Sequence, residues 1–132
     1  MDAFLSREAR QSLEALRLIP SGPAPGGVLL GHKRDHRFII EKVFPCPSHL
    51  FLTPEVFFEL DSVFEGRVIG FFSFRSSSPK NILRPHGFGK LYLEVRRDSH
   101  NKMALNSFVI EREKRFILLP IPLKFDEKGA KE

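Results

Sequence analysis

The chain has 132 residues, with 21 Lys plus Arg against 16 Asp plus Glu, 14 Phe, one Tyr, no Trp and a single Cys. That length supports one ordinary hydrophobic core and points to a single domain, and the mixed composition excludes a fibrous or disordered chain. A lone cysteine excludes an internal disulfide framework, and the opening MDAFLSREARQ lacks the apolar stretch of a secretion signal. No window approaches 18 uninterrupted apolar residues, so no membrane span is expected and a cytoplasmic location is.

The net charge of +5 is unevenly spread. Between Gly66 and Leu93 stand Arg67, Arg75, Lys80, Arg84 and Lys90 with no acid, while the rest of the chain is balanced. Such a local field attracts anionic partners.

Residues 3–18 read as a helix, with Leu5, Ala9, Leu13 and Leu16 at helical spacing, and the proline-rich Pro20–Pro25 stretch ends it. Gly27–Gly31 is a short apolar strand, His32–His36 a polar turn and Arg37–Phe44 a second strand, together a hairpin. Thr53 then Pro54 is a helix start, a hydroxyl cap followed by a proline where no amide is needed. Val56, Phe57, Leu60, Val63 and Phe64 share one side of that helix, and Gly66 is a left-handed stop. Arg67–Phe74 is a nearly all-apolar strand. A Ser-, Pro- and Gly-rich loop runs over 75–89, and loops of that length in compact domains carry function or motion. Lys90–Val95, Ala104–Arg112 and Arg115–Ile121 complete the strands. The domain is expected to end near residue 123, with a frayed polar tail over 124–132. The order αββαββββ predicts an α/β fold, a mixed sheet flanked by helices.

Three stretches, Pro25-Gly-Gly-Val-Leu-Leu-Gly31, Leu52-Thr-Pro-Glu-Val-Phe57 and Arg67-Val-Ile-Gly-Phe-Phe72, taken in that order, resemble the scaffold of the MPN domain, the fold of the JAMM metalloproteases. The likeness spans roughly residues 5 to 120. Active members cleave isopeptide or peptide bonds, often beside ubiquitin-like proteins, at an open zinc site held by His-x-His and an Asp, with a Glu as base and a Ser at the oxyanion. Carried over by residue, the Glu position is Ala24, and the His-x-His-Pro positions are Ser73, Phe74, Arg75 and Ser76. The Ser falls at Leu83 and the Asp at His86, or at Gly89 with a gap. His86 is thus the one conceivable metal remnant. The resemblance implies a degenerate MPN domain without zinc or other cofactor.

Outside that likeness, His32, His36, Cys46 and His49 are zinc-type residues, but the hairpin separates the two pairs by roughly 25 Å. Cys46 lies between prolines with no cationic neighbour, so packing is its expected role. No nucleophile elbow accompanies the serines, and His86-Gly-Phe-Gly-Lys90 lacks the glycine spacing of a phosphate loop. Phe57-Phe58 and Phe71-Phe72 are adjacent pairs, and neither pair can face one way.

The expected function is a non-catalytic interaction module that binds an acidic peptide or protein. Its expected surface is Ser73, Phe74, Arg75, Lys80, Arg84, His86 and Phe88. A ubiquitin-like protein or another MPN domain is the partner the resemblance implies, and an exposed Phe surplus suits a homodimer. A zinc hydrolase with ligands relocated around His86, and an anion or nucleic-acid binder using the basic loop 75–90, are the alternatives.

Overall fold

The structure, a computed structural model, describes residues 1–18, 26–46, 53–74 and 83–125. In chain order these form β1 (Asp2–Leu5), α1 (Arg7–Leu18), β2 (Gly26–Arg34), β3 (Arg37–Pro45), α2 (Pro54–Val63), β4 (Val68–Ser73), a 3-10 turn (Pro85–Gly87), β5 (Leu91–Arg97), β6 (Met103–Arg112), β7 (Phe116–Ile121) and β8 (Leu123–Phe125).

All eight strands belong to one sheet, ordered β7-β6-β5-β4-β2-β3-β1-β8. Its two outer strands, β7 and β8, are separated in the chain by Pro122 alone, so the sheet curls back on itself into a nearly closed barrel. This corrects the expected α/β architecture of MPN type. The described residues are mostly β, and two helices are appended to the curled sheet in place of helical layers flanking an open one.

The missing pieces of the expectation are β1 and β8, which pair with each other in parallel, Ala3 opposite Leu123 and Leu5 opposite Phe125. β1 hid inside the helix pattern because Leu5 falls in phase with Ala9 and Leu13. In the structure Ala3 and Leu5 alternate inward as strand residues. Ser6 then caps α1: its hydroxyl accepts the Ala9 amide at 3.1 Å and donates to the Glu41 carbonyl at 2.9 Å. Lys124 and Phe125, expected in the tail, lie in β8, and residues 126–132 are outside the described ones. Asp2 fastens this seam from both sides, accepting two bonds from Arg37 on β3 at 2.9 and 3.0 Å and pairing with Lys124 at 3.2 Å.

The β2–β3 hairpin forms as expected, although its turn is Asp35-His36 and the strand continues through His32. Register shifts on either side of Leu30 leave Glu41 of β3 and Ile69 of β4 without a partner across from them. Each bulge reverses the inward face of its strand. Val68 and Phe71 therefore face one core, with Val28, Leu30, Phe57 and Tyr92, while Ile69 and Phe72 face the other, with Ala9, Leu13, Leu29 and Leu93. Phe71 and Phe72 are consequently both buried. At Gly31 any Cβ would stand 1.9 Å from the Ile39 carbonyl oxygen, so only glycine lets β2 pass β3 there. Phe44, near the end of β3, is 41% exposed and edged by the Phe64 ring at 5.1 Å.

No helix of the described residues is long and apolar enough to cross a membrane.

Candidate functional site

Helix α2 begins as its sequence predicts. The Thr53 hydroxyl accepts the Val56 amide at 3.4 Å, with Pro54 in the first turn. At its other end Glu65 and Gly66 adopt left-handed backbone, and the Asp61 carboxylate accepts the Val68 amide at 3.2 Å, tying the helix to β4. Phe57 is the helix's buried anchor. Its ring lies 5.9 Å from Phe71 and 5.5 Å from the His86 imidazole. Phe58, the next residue, is turned outward and 60% exposed.

Opposite the helix start stands the Pro85–Gly87 turn, closed by the Gly87 amide on the Arg84 carbonyl at 2.9 Å. Gly89, in left-handed backbone, donates to the Ile110 carbonyl at 2.8 Å, and the Ile110 amide returns a bond to Lys90 at 2.9 Å. The turn is thus fastened to β6. Between helix and turn lies a cleft of about 270 Å³, lined by Pro54, Phe58, Arg84, Pro85 and His86. Phe88 stands just past the turn, 54% exposed.

The expected binding residues are therefore only partly brought together. Arg84 and His86 line this cleft, and Phe88 follows them in the chain without lining it. Ser73 lies on the inner side of β4 against Tyr92, whose hydroxyl is pushed up in pKa by burial, with Ser73 opposing the shift. Phe74 packs on the opposite core, its ring 5.6 Å from Phe72 and nearly perpendicular to it. Arg75 and Lys80 fall in 75–82, outside the described residues. Two other cations of the basic segment serve the fold. Lys90 donates to the Val68 carbonyl at 3.0 Å with its ammonium over the Phe57 ring, and Arg67 reaches Glu41 at 3.3 Å. Arg96 and Arg97, at the far end of β5, are held by Glu94 and Asn101.

His86 is 8% exposed, its ring tilted against that of Phe57. Among the described residues no three His, Cys, Asp or Glu side chains come close enough to hold a metal. His32 is instead directed at Glu41, 3.2 Å away, and that contact is the main cause of the lowered Glu41 pKa. Cys46 is buried, which pushes its thiol up to about 11 and leaves it a poor nucleophile; His49 lies outside the described residues. Sequence reasoning missed Phe58 and Pro54 as cleft walls. The adjacent Phe57-Phe58 pair was the available signal, since one of the two had to face outward.

No family model matches the chain, and no curated protein does. Among solved structures, the chain is similar to the solution structure of protein DSY2949 from Desulfitobacterium hafniense, with a TM-score of 0.61, 17% identity and 94% of each chain covered. At that identity the likeness shows the fold alone, nearly end to end.

Proposed function

We propose that the cleft between the start of α2 and the Arg84–Phe88 turn binds a peptide or protein segment with an acidic residue beside an apolar one. The protein then acts as a non-catalytic interaction module. The observation that carries this reading is the exposed Phe58 ring beside Arg84, in a cleft of about 270 Å³ whose walls are fixed at both sides. That volume suits one or two anchoring side chains rather than a cofactor. Aromatic and arginine side chains at a desolvated pocket are the usual carriers of binding energy. Glu55 and Glu59 on the same helix would repel a run of acids, so a mixed acidic–apolar segment fits better than a polyacidic one.

The test is selection of binders from a peptide library on the full chain, followed by amide-shift mapping with a selected peptide. Perturbation centred on Phe58 and Arg84–Phe88, and binding weakened by about tenfold or more in both Phe58→Ser and Arg84→Glu, supports the reading. Selected peptides that map elsewhere, or that both variants bind as tightly as the parent chain, contradict it.

A further inference from the structure

A second cleft, of about 310 Å³, opens on the other helix, far from the Arg84 turn in the chain and sharing no residue with it. Arg10, Glu14 and Arg17 recur at helical spacing on α1 and form one wall. The start of β6 adds Lys102 and Met103, and the end of β8 adds Phe125. Three cations thus surround one carboxylate. Glu14 is already engaged by the Arg17 guanidinium, and the Arg10 guanidinium rests over the Phe125 ring, 5.0 Å from its centre. Asp98, the nearby acid of the β5–β6 hairpin, is turned to its own loop, where it accepts the His100 and Lys102 amides at 2.8 and 3.0 Å.

Arg17 is the informative residue. One terminal nitrogen is on Glu14 and the other reaches the Asn101 carbonyl at 3.4 Å, while its buried Nε–H has no acceptor among the described residues. A buried guanidinium donor without an acceptor is costly unless an anion completes it. The floor of the same cleft is apolar, formed by Met103, Leu105 and Phe125.

We infer that this cleft binds a small phosphate monoester, its dianionic phosphate held by Arg10, Arg17 and Lys102 and its apolar or aromatic body on Met103 and Phe125. The lining sets three cations against the one carboxylate of Glu14, an excess that Asp98 beside Arg17 and Lys102 tempers but does not cancel, and guanidinium forks match phosphate oxygens.

The test is an amide-shift titration of the full chain with phenyl phosphate, inorganic phosphate and phenylacetate. Phenyl phosphate should saturate shifts at Arg10–Arg17 and Lys102–Leu105, and bind more tightly than either of the other two. Arg17→Met and Lys102→Met should each weaken it by about tenfold or more. The Lys102 variant keeps the test valid should loss of Arg17 disturb α1. Absence of saturation at roughly 10 mM, unchanged affinity in both variants, or equal affinity for inorganic phosphate or phenylacetate would each overturn the assignment.

Discussion

The two clefts of this protein are built on different helices and in different ways. The α2 cleft is an apolar surface with one cation, where an exposed ring stands beside a turn pinned to β6. The α1 cleft is a cationic surface on an apolar floor, with a buried donor that has no acceptor among the described residues. Each helix is anchored in its own core, α2 by Phe57 and α1 by Ala9 and Leu13. The bulges at Glu41 and Ile69 make this possible, because they let consecutive residues of a strand feed both cores. A nearly closed sheet thereby offers two independent surfaces on a chain of 132 residues.

The strongest way to break the comparison is to remove the anchors. Phe57→Ala should cost about 3–5 kcal/mol and Leu13→Ala about 2–5 kcal/mol in denaturant unfolding. In whatever remains folded, the first should abolish peptide binding at α2 and spare phenyl phosphate binding at α1. The second should do the reverse. Loss of both activities in both variants would merge the two surfaces into one.

Next in size is Arg84→Glu, which should weaken the selected peptide by about tenfold, near 1.4 kcal/mol, and leave the unfolding midpoint almost unmoved. A competition assay for the peptide, beside a thermal melt, reads both quantities. Thr53→Ala should cost about 1 kcal/mol through the lost helix cap, a fall of roughly 3–4 °C in melting temperature. Peptide affinity should fall with it if the helix start is a wall of the site.

The smallest effect is expected at the seam. The Arg37 guanidinium, with help from Lys124, lowers the Asp2 carboxyl from an ordinary 3.8 to about 2. A lowered carboxyl stabilises the fold at pH above 3.8, and that contribution is lost as pH falls toward 2. Asp2→Asn should therefore flatten the acid limb of the stability curve in that window and change neither cleft. An unchanged acid limb would remove Asp2 from the account.

How much of this was legible in the sequence follows from the same contrast. The interior strands β2, β4 and β5 could be read because burial on both faces leaves a continuous apolar run, and α2 because Thr53-Pro54 is an unambiguous start. The seam was illegible for opposite reasons at its two ends. Leu5 obeyed the helical period as well as the strand's, and Leu123-Lys-Phe125 is too short and too charged to register as a strand. Only pairing within the sheet defines them, β1 with β3 and β8, and β8 with β1. Overlooking that pair turned a nearly closed sheet into an expected open one. The proposed surface was half legible: the local excess of positive charge pointed to Arg84 and the family resemblance to His86, but no local pattern shows that Phe74 packs on the opposite core. The α1 cleft escaped notice because its cations are far apart in the chain, and only the fold brings Lys102 to Arg10 and Arg17.

The most direct test of the central claim, that the α2 cleft is the peptide site, is an amide-shift map of the full chain with a selected acidic–apolar peptide, repeated in the presence of saturating phenyl phosphate. The account predicts shifts at Phe58 and Arg84–Phe88 that phenyl phosphate does not displace. Shifts concentrated on Arg10–Arg17, or displaced by phenyl phosphate, would contradict it.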